Sequence, residues 1–321
     1  MRFCACIDTL YTEIPFIERF AQAKADGFES VEFWDYRHHD LDAIKKASED
    51  ADIKISGFNG DADYSLVDPM HKEKYLEELR KSMAAANKIG AESVTIHSNA
   101  LGDEGIVVNH YTELSHTVKL CSMYDTPKEC AKIAEEDDIN INLEALNILT
   151  DHVGNFLETT QMGAEIIRLI GCDKLKLLYD AYHMQLNEGK ICDTLTQYID
   201  VIGHVHIADA PGRHEPGTGE INYNNIMKHL ESLNYQYRVG SELFPLKDDG
   251  EINDDCEDAS VVILDNGGAS FIYIKSENGW GEYATMARME KFLKSLSSFR
   301  GIDKMFVRDP ANDKYMLWED G

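Results

Sequence analysis

Residues 204–223 read HVHIADAPGRHEPGTGEINY, a short β-type run that passes directly into a loop crowded with charged groups. Successive side chains of a strand alternate, so His204 and His206 share one face and Val205 and Ile207 the other. The loop carries Asp209, Arg213, His214, Glu215 and Glu220, while Pro211, Gly212, Pro216, Gly217 and Gly219 restrict its backbone. Taken alone, a histidine in a β run is ordinarily a core residue and such a loop a solvated turn. Loops on a rigid scaffold are also where binding groups concentrate, and the rest of the chain supplies that scaffold.

Outward from this stretch the same unit repeats. β-type runs occur at FCACID (3–8), SVEFW (30–34), IKISGFN (53–59), SVTIH (93–97), ININLEAL (139–146), LKLLYD (175–180), HVHIA (204–208) and YRVGSEL (237–243). Amphipathic helical patterns lie between and after them, around 16–26, 40–51, 72–89, 127–137, 155–170, 192–201 and 223–233. Eight strands alternating with helices over about 240 residues predict an α/β chain folded as a closed parallel (β/α)8 TIM barrel. An open dinucleotide-binding sheet would carry a glycine-rich turn after its first strand, where CIDTLYTEIP stands instead.

After Pro245 the character changes. KDDGEINDDCED (247–258) is acidic and loop-like, and SVVILDNGGASFIYIK (260–275) reads as a β-hairpin around Asn266-Gly267-Gly268. Residues 282–299 place Tyr283, Met286, Met289, Phe292, Leu293 and Leu296 along one side of a helix, expected to close the barrel as its eighth. The tail, with Phe306, Tyr315 and Trp318, is expected to pack on its own chain rather than await a partner. The expected organisation is one barrel domain over 1–321, with an insertion and hairpin at 247–281 and a C-terminal tail at 301–321.

Composition narrows the function classes. Of the 321 residues 43% are apolar, enough for a core, yet no run approaches the roughly 18 residues a membrane span requires. The start, MRFCACIDTLYTEIPF, has no basic segment leading into a long apolar one, which makes a cytoplasmic protein the simplest reading. Seven cysteines are scattered and form no CxxC pair, so reduced thiols are expected. A formal charge of −27 opposes a phosphate backbone and argues against nucleic acid. A local group of carboxylates is, however, suited to a divalent cation.

In a barrel of this kind the active site lies at the C-terminal ends of the strands. Glu144, Asp180, His206 and Glu242 close or nearly close four successive β runs, at separations of 180−144 = 36, 206−180 = 26 and 242−206 = 36 residues, each about one βα repeat. Three carboxylates facing one centre repel unless a cation sits among them. Three oxygen donors and one imidazole suit Mn2+ best, with Mg2+, Co2+ and catalytic Zn2+ as alternatives. Around them, His183 in DAYHMQ is expected where a strand gives way to a loop, and Arg213 offers a planar fork for a substrate oxygen. His97, Asn147 and Trp34 are further candidate pocket residues; capping or core roles compete for the first two, and rim packing for Trp34, which with Glu32 ends the second strand.

TLYTEIPFIERFAQAKADGFESVEF, NLEALN, YDAYHMQ, HVHIADAPGRHEPGTGEINY and SELFP together resemble the hydroxypyruvate isomerase branch of the xylose isomerase-like barrel enzymes, over roughly residues 1–245. The resemblance implies that Glu144, Asp180, His206 and Glu242 are metal ligands, that Glu144 and Glu242 flank the substrate for proton transfer, and that His183 and Arg213 match substrate-binding positions. The chemistry would be removal of a proton next to a sugar carbonyl, leading to isomerisation, epimerisation or, with a β leaving group, elimination.

Trp34 in EFWDYRHHDLDAI and the long extension after the eighth strand depart from a minimal isomerase. They are more similar to the metal-binding subunits of bacterial C-glycoside deglycosidases, carbon–carbon lyases that act on 3-oxo-glucosides and pair with a small β-rich second subunit in a higher oligomer. That resemblance implies a lyase with a sugar or glycoside substrate. The isomerase or 3-epimerase stands as the alternative, and an inactive scaffold as a third reading that the intact four-residue set opposes.

Overall fold

The structure, a computed structural model, describes residues 1–246 and, beyond them, the backbone of strands 261–266, 269–274, 304–309 and 314–319. Eight parallel strands close a barrel in sequence order: β1 (Arg2–Cys6), β2 (Ser30–Phe33), β3 (Lys54–Asn59), β4 (Ser93–His97), β5 (Asn140–Glu144), β6 (Leu175–Asp180), β7 (Ile202–Ile207) and β8 (Arg238–Ser241). β8 returns to β1 with Cys4 opposite Gly240, and the expected (β/α)8 architecture is the one observed.

The helices on the outside are α1 (Arg19–Ala25), α2 (Leu41–Ala51), α3 (Lys72–Ile89), α4 (His116–Asp137), α5 (Thr160–Ile170), α6 (Ala181–Asn187), α7 (Ile191–Tyr198) and α8 (Tyr223–Ser232). Side-chain caps start several of them: Asp40 accepts from the Asp42 N–H and Thr159 from the Met162 N–H. Val31, Ile96, Ile141, Leu177 and Val205 of the strands and Phe20, Ile44, Met83, Ile133 and Ile167 of the helices bury the apolar layer between the two rings. α5 approaches β6 closely because Gly163 has no side chain; a Cβ there would lie 2.6 Å from Leu177 Cδ2.

Two helices differ from expectation. α4 begins eleven residues before the expected 127, because it runs through Pro127, a residue that ordinarily marks a first turn. The segment read as loop after β6 is α6, and its cap is a candidate ligand: Asp180 Oδ1 accepts from the N–H groups of Tyr182 at 2.7 Å and His183 at 3.1 Å.

The contacts divide the chain into two compact units, Met1–Leu246 and Lys247–Gly321. In the second, β9 (Val261–Asn266) and β10 (Ala269–Ile274) pair antiparallel with Asn266 opposite Ala269, the expected hairpin, and β11 (Lys304–Asp309) pairs antiparallel with β12 (Lys314–Glu319). The expected closing helix at 282–299 and the acidic stretch 247–258 lie outside the described residues. Among the described residues no helix is long and apolar enough to cross a membrane.

Candidate active site

Barrel closure brings the four spaced residues together. One ligand atom each from Glu144, Asp180, His206 and Glu242 lies within 4.8 Å of the others. His206 Nδ1 is 3.1 Å from Glu242 Oε2 and 4.0 Å from both Glu144 Oε1 and Asp180 Oδ2. All four are buried.

Burial sets their electrostatics. It raises the Asp180 carboxyl to about 7, with Glu144 and Glu242 adding to the rise and Arg213 and His206 opposing it. Burial would also raise Glu242, but Arg213, His206 and the Trp34 N–H hold it well below the usual carboxylate range. Glu144 Oε1 and His206 Nδ1 are buried with no hydrogen-bond partner. Such atoms are costly to leave unsatisfied, and two of them converging with further carboxylate oxygens is the arrangement a divalent cation satisfies. The mixed oxygen and imidazole donors exclude the all-sulfur pattern of structural zinc.

A second layer orients these four. Glu32 reaches from β2 across the barrel interior, placing Oε1 3.1 Å from His206 Nε2 and Oε2 3.0 Å from His204 Nε2. Burial alone would raise Glu32, yet the two imidazoles hold it well below its ordinary value. The carboxylate fits only because β8 carries a glycine there: a Cβ on Gly240 would lie 2.1 Å from Glu32 Oε1. Trp34 Nε1 donates to Glu242 Oε1 at 2.5 Å, so the indole holds a site carboxylate.

On the other side, His97 stands between Asp61 Oδ1, 3.0 Å from Nδ1, and Glu144 Oε2, 3.2 Å from Nε2. Burial works against its charge, but Asp61 and Glu144 push His97 up to about 10. Asp61 is itself held by the His97 N–H at 2.6 Å and the Tyr75 hydroxyl at 3.1 Å.

His183 is fully buried beside Asp180, with Nε2 3.5 Å from Asp180 Oδ2, and burial holds it well below the ordinary histidine range. Asn147 is buried and touches His183 Nδ1 at 2.7 Å. Arg213, at a left-handed φ of 59°, projects its guanidinium between the rings of Tyr182 and Phe244 onto Glu242 Oε2, and lies 3.5 Å from Asp180 Oδ2.

The loop read first divides its labour. Asp209 is buried and structural: Oδ1 accepts from the N–H groups of Ala210 and Ile221, each at 2.9 Å, and Oδ2 from Gly217 at 2.7 Å. His214 and Glu215 hold the backbone of Phe244 and Leu246, which leaves Arg213 as the loop's contribution to the site. Glu32 was noted only as a strand end, and Asp61, His152 and Gly240 were not singled out at all. The alternation of β2, with Glu32 on the face opposite Val31 and Phe33, is the one signal that points to the first.

The sequence profile of the xylose isomerase-like TIM barrel family matches residues 20–257. Hydroxypyruvate isomerase of Escherichia coli (strain K12) is 32% identical across 254 aligned residues, covering 76% of this chain and 94% of that protein. The 2-oxo-tetronate isomerase of Cupriavidus necator is 26% identical across 251, covering 76% and 93%. Among solved structures, an AP endonuclease of family 2 from Brucella melitensis has a TM-score of 0.70 at 23% identity, covering 77% of this chain and 94% of its own, a likeness of fold.

Proposed function

Because the chain belongs to the xylose isomerase-like TIM barrel family, we infer that it is a divalent-metal-dependent isomerase that moves a proton between adjacent carbons of a small hydroxycarbonyl compound, a sugar or sugar acid. The observation that carries this reading is the convergence of Glu144, Asp180, His206 and Glu242, with Glu144 Oε1 and His206 Nδ1 buried and without a hydrogen-bond partner. A divalent cation held by these four, Mn2+ in first place with Mg2+, Co2+ and Zn2+ as alternatives, supplies the Lewis acidity that makes the proton between a carbonyl and a hydroxyl removable.

The chain's own residues do the rest. Glu144 is the proton-accepting carboxylate, oriented by His97 Nε2 at 3.2 Å from its Oε2. Glu242, fixed by the Trp34 N–H at Oε1, is the second carboxylate of the proton-transferring pair. Arg213 supplies a guanidinium donor for a substrate oxygen, and neutral His183 offers a hydrogen bond without adding charge. Burial of these groups limits the access of water, which strengthens the charge interactions in the site.

The elimination reading is the weaker one. One of its two supports, Trp34, is engaged with Glu242, which gives the residue a role an isomerase needs equally. The other is the extension from residue 247 onward, which forms a separate compact unit. The relatives by sequence are isomerases acting on short keto acids. Cysteines at 4, 6, 121, 130, 172 and 192 are all unpaired, in keeping with a reducing compartment such as the cytoplasm.

The test is incubation of the Mn2+-loaded full chain in D2O with hydroxypyruvate, with D-fructose and with a 3-oxo-C-glucoside, followed by NMR. Deuterium incorporation beside the carbonyl, with interconversion of hydroxypyruvate and 2-hydroxy-3-oxopropanoate or of ketose and aldose, is expected. Release of the aglycone without isomerisation would restore the lyase, and absence of exchange with all three would remove the reading.

A further inference from the structure

Next to the four converging residues, the loop after β5 brings His152 against His183. The ring centroids are 5.1 Å apart at an interplanar angle of 71°, and one ligand atom each of Asp151, His152 and His183 lies within 4.8 Å of the others. Both imidazoles are buried, and Nε2 of each has no hydrogen-bond partner.

The hydrogen bonds behind the rings fix which nitrogen carries the proton. His152 Nδ1 lies 2.7 Å from the Gly105 carbonyl oxygen, which only accepts, so Nδ1 bears the hydrogen and Nε2 presents a lone pair. The loop passes this close because residue 105 is a glycine at a φ of +73°; a Cβ there would stand 2.6 Å from His152 Cε1.

His183 is set the opposite way. Asn147 Oδ1 accepts from the Thr150 N–H at 3.1 Å, the Thr150 hydroxyl at 2.9 Å and the Asp151 N–H at 3.1 Å, which turns its NH2 group toward His183 Nδ1 and Asp151 Oδ2, each at 2.7 Å. His183 Nδ1 therefore accepts, and Nε2 carries the hydrogen.

We propose that this buried acceptor, His152 Nε2, and the neighbouring buried donor, His183 Nε2–H, form a site that reads one neutral hydroxyl of the substrate. The assignment deepens the isomerase reading and rests on it. A hydroxyl oxygen accepts from His183 and donates to His152, satisfying both nitrogens at once. A carboxylate has no hydrogen for His152, an ether likewise, and an ammonium cannot accept from His183. A second cation is disfavoured because binding at His183 Nε2 would require its proton, and with it the Asn147 amide, to be reversed against three donors. The pair thus selects polyhydroxy ketones and aldehydes over compounds that place a carboxylate at this point.

The test compares the Mg2+-loaded full chain with His152→Phe and His152→Gln, using deuterium exchange into D-fructose and its monodeoxy analogues. His152→Phe should lower kcat/KM for D-fructose by about 10- to 100-fold, chiefly through KM, leave one deoxy analogue nearly unchanged, and be partly rescued by His152→Gln, whose amide oxygen accepts. An equal loss on every probe, as from a structural role or a resident water alone, overturns the proposal, as does a second Mn2+ equivalent per chain that His152→Phe removes. Should the wild type exchange nothing, the isomerase reading fails while the pair is still tested: 15N spectra of histidine-labelled protein should show an unprotonated His152 Nε2 that shifts when D-fructose is added, and absence of that shift overturns it.

Discussion

Glu32 Oε1 lies 3.1 Å from Nε2 of His206, so a carboxylate from the second strand sits behind an imidazole of the seventh whose other nitrogen faces Glu144, Asp180 and Glu242. A carboxylate in this position fixes the ring's tautomer and increases the basicity of the nitrogen that faces the cation. Glu32→Gln should weaken Mn2+ binding by about 10- to 100-fold, measured by titration calorimetry, with the far-ultraviolet circular dichroism unchanged. Unaltered affinity would reduce Glu32 to a core charge pair.

Gly240 makes that contact possible. Gly240→Ala would drive a methyl group into Glu32 Oε1, at 2.1 Å, and against His206 Cδ2, at 2.8 Å. The expected cost is about 1–3 kcal/mol of stability by thermal unfolding, with metal affinity falling as well. Gly171→Ala, by contrast, meets no side chain, only the Arg168 carbonyl oxygen at 3.9 Å, so any loss there is confined to its left-handed backbone and spares metal affinity.

Cation binding should release protons. Asp180, raised from 3.8 to about 7, keeps its proton at pH 6 in the metal-free fold, and His206 is raised well above its ordinary 6.5 against the effect of burial by Glu32 and Glu242. Affinity for Mn2+ should therefore rise with pH from about 5 to beyond 7, and calorimetry at pH 6 in buffers of different ionisation enthalpy should show at least about one proton released per ion. For folding, the Asp180 contribution is complete below 3.8 and is lost as pH climbs through about 7. His152 and His183, pushed down by burial, act in the opposite sense near 6.5, which makes metal affinity and not the melting temperature the readout.

Glu144→Gln should reduce turnover by about 10²- to 10⁴-fold, because an amide cannot take the proton, while the barrel stays folded. Glu242→Gln should reduce turnover and also disturb Arg213 and Trp34, both of which it holds. Full activity in Glu144→Gln would remove it as the base.

Much of this was legible in the chain itself. The βα period placed Glu144, Asp180, His206 and Glu242 one repeat apart, and a closed barrel turns equal spacing into a common centre. His204 and His206 were assigned one face by strand alternation, and both meet Glu32 from that face. α6 was missed because a seven-residue helix carries almost no periodic signal and its cap is the site residue Asp180.

What the sequence determined on its own is therefore the barrel and the four residues at its strand ends, since both follow from a repeat that local hydrophobic patterning writes into the chain. Only the tertiary structure decided the orienting partners. Trp34 and Glu242 are separated by 208 positions, and Gly105 and His152 by 47. No spacing rule links such pairs, because their contact is made by ring closure and by loops crossing the mouth, where burial and hydrogen-bond satisfaction select the partner.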